Sequence, residues 1–203
     1  MIETLRELTI VGRHGLKSTT FEVFTDGGPA PVARLHKDFV FTSKHALSIC
    51  TGPGLDVHEG WVTPRTATGP DKVRLGTVDH RSTLVASREV WTFEQEGLPA
   101  LTGEPTGMTK LRYGPVLALA PMKRSMDSLL QYRIRFQGPG CEGFELARLV
   151  GVRHPRYSLR ILDDRVSRRL ALATVLYYDR VLDGDLRKAV LEDWLTPILG
   201  SGS

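Results

Sequence analysis

The sequence predicts a mainly antiparallel β chain that closes on a buried helix near its C-terminus. Three observations carry this expectation. From Glu7 to Leu162 the chain runs as short apolar–polar alternations, the period-two pattern of strands with one buried face. Glycine and proline are frequent where turns are needed, 20 and 12 residues in all, and no long helical period interrupts the series before residue 162. The stretch "DDRVSRRLALATVLYYDRVLDG", Asp163 to Gly184, then carries nine uncharged residues, Leu170 to Tyr178, apolar in every direction of a helical wheel. A helix apolar all round belongs in a core or in a membrane.

The strands follow in order. "ELTIVG" and "TFEVFTDGG" alternate, and the second ends in the turn signal Asp26-Gly27-Gly28 before "APVARLHKDF" returns. "KHALSI" near residue 47 reads as a strand. "TGPGLDVHEGWVTPRTATGPD" is the loosest region and is expected to be a surface loop. "KVRLGTV" and "STLVASREVWTFEQEGLPAL" read as strands with a turn at Glu96-Gly97, and "GPVLALAPM" as a short buried strand. "LALAPMKRSMDSLLQ" has room for a helical turn or two. "YRIRFQGPGCEGFELARLVG" is a hairpin with Tyr132, Ile134 and Phe136 on one face, and "YSLRIL" is the last strand. Two of these units, "TFEVFTDGGPAPVARL" and "EVWTFEQEGLPALTGEP", share one plan of bulky strand, acid-and-glycine turn, and exit through proline. Duplication and two ordinary hairpins explain that echo equally well.

Length separates core from membrane for the apolar helix. Nine residues rise only ~13 Å, against a hydrocarbon layer of ~30 Å. Extension meets Arg168 and Arg169 on one side and Asp179 and Arg180 on the other, charges that a bilayer would penalise by several kcal/mol each. The helix is therefore expected in a core, over about residues 165–182, capped by Asp163 or Asp164 and stopped by Asp183-Gly184. Asp185 can cap a second, amphipathic helix over 185–199, whose Leu186, Val190, Leu191, Trp194, Leu195 and Ile198 form one stripe. The expected organisation is one barrel-like domain over 1–184, that helix packed on it, and a flexible tail at 200–203.

Bulk composition sets limits on function. Of 203 residues 41% are hydrophobic and 25% charged, ordinary for a soluble domain with a sizeable core. The net charge of +4 permits attraction to phosphates. The Lys/Arg residues are scattered, without the dense stripe and interleaved aromatics of a nucleic-acid surface, so no nucleic-acid partner is expected. The two cysteines, Cys50 and Cys141, are far apart and form no Cys-x-x-Cys pair, which suits reduced thiols in the cytoplasm. No secretory leader and no transmembrane span are expected.

The stretches "FEVFTDGGPAPVARL", "RLGTVDHRSTLVASREVWTFEQEGLPAL" and "YSLRILDDRVSRRLALATVLYYD" resemble, in order and plan, the phospholipid scramblase and LURP-one-related branch of the tubby-like superfamily. The resemblance spans about residues 7–183. It implies a closed antiparallel β-barrel of about twelve strands wrapped around a hydrophobic C-terminal helix. Tubby proteins bind phosphoinositides and scramblases are membrane-linked. The Pro-rich N-terminal region, cysteine cluster and acidic calcium-loop pattern of scramblases are not found in this sequence, which argues against scrambling. No phosphoinositide residue of tubby proteins carries over to a position here.

Chemistry is sparsely signalled. The six histidines lack metal-ligand spacing to one another or to cysteine. Glycine-rich stretches such as "GEPTG" lack the Lys-Ser/Thr of a phosphate loop, and no Gly-x-Ser-x-Gly elbow occurs. Neither an enzyme, a metal nor a cofactor is expected. One cluster stands out: Arg165, Arg168 and Arg169 crowd the start of the core helix, where the helix dipole disfavours cations. They either pair with Asp163 and Asp164 and bond carbonyls at a barrel rim, or form an anion site for a phosphate or lipid headgroup, helped by Lys123 and Arg124. The expected function is a non-catalytic binding or scaffold protein, peripheral to an anionic membrane. The alternatives are a protein-interaction module docking an unidentified partner through Leu186, Val190 and Trp194, and an enzyme or small-ligand carrier using the barrel interior.

Overall fold

A computed structural model describes residues 2–15, 17–38, 46–83, 88–106, 133–149 and 154–180. Among the described residues twelve antiparallel strands close into one barrel. They are β1 (Glu7–His14), β2 (Ser18–Thr25), β3 (Ala33–Asp38), β4 (Leu47–Thr51), β5 (Val57–Val62), β6 (Thr66–Thr68), β7 (Arg74–Thr83), β8 (Arg88–Gln95), β9 (Leu101–Pro105), β10 (Arg133–Gly138), β11 (Cys141–Leu149) and β12 (Arg156–Ile161). Each strand pairs with its neighbours in sequence, and β12 pairs back onto β1 with Leu8 opposite Leu159 and Ile10 opposite Tyr157. Closure leaves no edge strand to template aggregation.

The period-two pattern places one side chain in two inward. Leu8 and Ile10, Phe21 and Val23, Ala33 and Leu35, Ile134 and Phe136, and Leu159 and Ile161 are all buried, while their neighbours other than Val11 are half-buried or exposed. The hairpins β2–β3 and β8–β9 turn in the same way. Gly27 and Gly97 both hold positive φ, 67° and 77°, and each turn is closed by a backbone bond, Gly28 N–H to Thr25 O and Leu98 N–H to Gln95 O. A glycine adopts that conformation without the penalty a Cβ would bring.

The region expected as a loop is a correction. Residues 57–62 and 66–68 are strands β5 and β6, with Trp61 opposite Thr68 and Val62 opposite Ala67. Their residues carry few apolar side chains in alternation, so the period-two signal is weak. The ladders on either side impose the extended conformation instead. The stretches "GPVLALAPM" and "LALAPMKRSMDSLLQ", the stop at Asp183-Gly184, and the helix at 185–199 lie outside the described residues.

The apolar stretch forms helix α1 (Arg168–Tyr178). Every residue from Leu170 to Tyr178 is buried. The helix packs against β5, β6 and β7 on one arc of the ring, against β11 and β12 on another, and against the 3-10 turn Ile2–Thr4. Side chains are small on the first arc: Ala67 lies on β6, and a Cβ at Gly76 of β7 would lie 2.5 Å from Leu170 Cδ2 of the helix. Aromatic rings fill the space at β8, β10 and β11. Phe136 stacks on Phe144 at 4.4 Å and Phe93 meets Phe144 edge-on at 5.0 Å, while Trp91 meets Tyr177 of the helix at 5.3 Å. Such pairs contribute about 0.5–1.5 kcal/mol each beyond their buried area. The Thr174 hydroxyl is satisfied within the helix by the Ala171 carbonyl, 2.6 Å away. No helix among the described residues is long and apolar enough to cross a membrane.

Candidate functional site

The N-cap is a second correction: it is Ser167, whose hydroxyl accepts from the Leu170 amide, and neither Asp163 nor Asp164. Asp163 is drawn away because its carboxylate already accepts from the Arg165 amide at 3.0 Å and from the Arg165 guanidinium at 3.0 and 2.7 Å. The tight turn this creates delays the helix until Arg168.

An acidic side chain from the other end of the chain completes the cap. The Glu3 carboxylate accepts from the Arg168 amide at 2.7 Å and the Ser167 hydroxyl at 3.2 Å, and takes Arg169 Nε at 2.8 Å. The free N–H groups at a helix N-terminus and the positive end of its dipole form an anion-binding site. Here the anion is the chain's own. Replacing Glu3 with glutamine or alanine is expected to lower stability by about 1–2 kcal/mol, measured by chemical denaturation; an unchanged midpoint would contradict the capping role.

The three arginines of the sequence cluster converge on the start of α1. Arg165 pairs with Asp163 and donates to the Gly140 carbonyl at 2.7 Å. Arg168, only 2% exposed, donates to the carbonyls of Leu5, Asp164 and Val166 at 2.7–2.9 Å and to the Asp164 carboxylate at 3.1 Å. Arg169 bridges Glu3 to the Glu59 carbonyl at 2.8 Å. Arg6 forms an ion pair with Asp164. Gln95 clamps the same turn, donating to the Arg165 carbonyl and accepting from the Ser167 amide, both at 2.8 Å. The guanidinium groups offset the dipole's repulsion through carboxylates and backbone carbonyls and tie the segment before β1, strand β5 and the β10–β11 turn to the helix start. Lys123, Arg124, Leu186, Val190 and Trp194 lie outside the described residues.

The titration of Asp163 and Cys141, among other groups, responds to this network. The hydrogen bond from Arg165 holds the Asp163 carboxyl well below the usual carboxylate range, with a lesser contribution from Cys141. Burial pushes the Cys141 thiol up, and its hydrogen bond to Asp163 adds to this. A thiol kept protonated is a poor nucleophile. Because the Asp163 pKa is depressed on folding, its stabilisation is complete above the unfolded value of about 3.9 and is lost as pH falls below it. Asp163→Asn should therefore unfold with a weaker acid dependence below that pH than the parent; identical acid-unfolding profiles would refute this.

At the other end of α1, the side chain of Asp179 is buried. It accepts from the Tyr157 hydroxyl at 2.7 Å and lies 3.2 Å from His14 Nε2. Neither contact has a local sequence signal, since the partners are 22 or more residues away. Among the described residues no group of three or more His, Cys, Asp or Glu side chains is placed to hold a metal.

No family model, curated protein or solved structure matches the chain. Its geometry therefore carries the functional argument alone.

Proposed function

We propose that the chain has the tubby-like architecture, with α1 running through the barrel as its core, and that it is a non-catalytic binding or scaffold protein meeting anionic phospholipid headgroups at the cytoplasmic face of a membrane. The observation that carries this reading is the helix itself, apolar and buried on every face. In this reading the helix takes the place that a substrate would need inside the barrel, so recognition falls to the outside. The rim network supports the same division of labour, because its arginines are engaged with the chain's own carboxylates and carbonyls. The net charge of +4 favours an anionic surface.

Flotation with vesicles tests the reading. Phosphatidylcholine vesicles containing phosphatidylserine should carry the protein upward, and added salt should weaken recovery because the attraction is screened. Equal recovery with neutral vesicles, or none with anionic vesicles at any salt, would rule it out.

A further inference from the structure

On the outer face of β1–β4 the pairing register lines up two rows of side chains. One row is Arg13, Thr20, His36 and Ser48; the next is Glu22, Arg34 and Cys50. Together with Leu55 they line a groove of about 500 Å³. Its charges are unequal. Arg13 reaches one oxygen of Glu22 through Nε and Nη2, both at 3.2 Å. Arg34 Nη2 stands 3.9 Å from the other oxygen, beyond hydrogen-bond range, and among the described residues the Arg34 guanidinium makes no hydrogen bond. One carboxylate is thus shared by two guanidinium groups, and the Arg34 fork keeps its donors for something else.

The surrounding groups are fixed. His36 is held between the Thr20 hydroxyl at 2.8 Å and the Asp38 carboxylate at 2.9 Å, and the Ser48 hydroxyl is tied to the His36 carbonyl at 3.1 Å. Leu55 sits in the left-handed region at φ 53°, a conformation that a leucine holds only where its surroundings enforce it. It gives the groove that Arg13 and Arg34 line an apolar side chain.

From this geometry we propose that the β1–β4 groove binds a phosphate monoester, with Arg34 as the anchoring fork, Arg13 as the second cation and Leu55 against the carbon skeleton. A phosphate monoester carries nearly two negative charges and three terminal oxygens, which two guanidinium forks match. The proposal rests on the reading that recognition takes place outside the barrel, and it names where. A soluble phosphorylated metabolite and a lipid with a terminal phosphate offer the same chemistry.

The full chain, labelled with 15N, is titrated with glycerol 3-phosphate while the arginine Nε–H resonances are followed. In parallel it is floated with phosphatidylcholine vesicles containing phosphatidic acid. The Arg34 resonance should move saturably, and Arg34→Ala should weaken binding by about tenfold or more. Arg34→Lys should recover part of it, and Arg81→Ala on β7 should leave it unchanged. Since Arg34 lies on the outer face, an unaltered thermal midpoint of Arg34→Ala excludes misfolding as the cause. If phosphatidic acid vesicles also carry the parent but not Arg34→Ala, the source is a lipid. If glycerol 3-phosphate binds through Arg34 while no anionic vesicle carries the protein, the groove stands for soluble esters and the membrane reading falls. Flotation that survives Arg34→Ala, with no movement of the Arg34 resonance, overturns the groove and leaves the membrane reading in place.

Discussion

Arg168→Ala is expected to destabilise the protein by about 3–5 kcal/mol, the range for removing one partner of a buried ionic network. The size follows from what the guanidinium leaves behind. The carbonyls of Leu5, Asp164 and Val166 each lose a charged donor, and the bond to Val166 is buried, where an acceptor left unsatisfied costs about 1–3 kcal/mol. The ion pair itself contributes the smaller part, because the Asp164 carboxylate is 59% exposed and solvent screens it. Arg168→Lys should recover little, since an ammonium cannot reach carbonyls on both sides of a planar fork. Arg165→Ala, removing a side chain 56% exposed, should cost far less. Urea unfolding of the three variants checks the order; equal losses for Arg165→Ala and Arg168→Ala would show that burial of the fork is not what matters.

That order was only half legible in the sequence. The pairing of Asp164 with Arg168 is an i, i+4 relation, and the pairing of Asp163 with Arg165 is local. The choice of distant backbone carbonyls as the other partners follows from three-dimensional closure. Leu5, Glu59 and Gly140 lie 163, 110 and 25 residues away from the arginines they accept from. Glu3 was missed for the same reason. A glutamate near the start of the chain carries no mark that it will cap a helix 165 residues later.

The strands divide along similar lines. Hairpins with bulky alternating residues and an acid-and-glycine turn, such as β2–β3 and β8–β9, were readable because the signal and the structure are both local. β5 and β6 were not, because their conformation is imposed by neighbours. Gly60 shows this: its φ of 132° belongs to glycine, and a Cβ there would press on Thr68 and Gly69. In the sequence that glycine reads as a loop residue; in the fold it permits a close strand crossing. The groove on β1–β4 was hidden by alternation itself, since its outward residues are separated in sequence and come together only through register.

The seat of the helix on β7 can be tested by a pair of substitutions. At Gly76, φ is 157°, and a Cβ would lie 2.5 Å from Leu170 Cδ2. Gly76→Ala is expected to cost about 2–5 kcal/mol, from backbone strain and overpacking together. Leu170→Ala should cost about 2–5 kcal/mol through the cavity it opens. The two losses should not add. Removing Cδ2 makes room for the new methyl group, and the methyl group refills part of the space left by the leucine, so the double variant should be more stable than the sum by about 1 kcal/mol or more. Part of the Gly76 penalty must remain in every background, because the same Cβ also presses on the Glu94 carbonyl of β8, which no helix substitution relieves. Denaturant midpoints of the four proteins give the coupling directly. Additivity would mean that Leu170 does not rest on Gly76, and the helix would then have to be seated elsewhere.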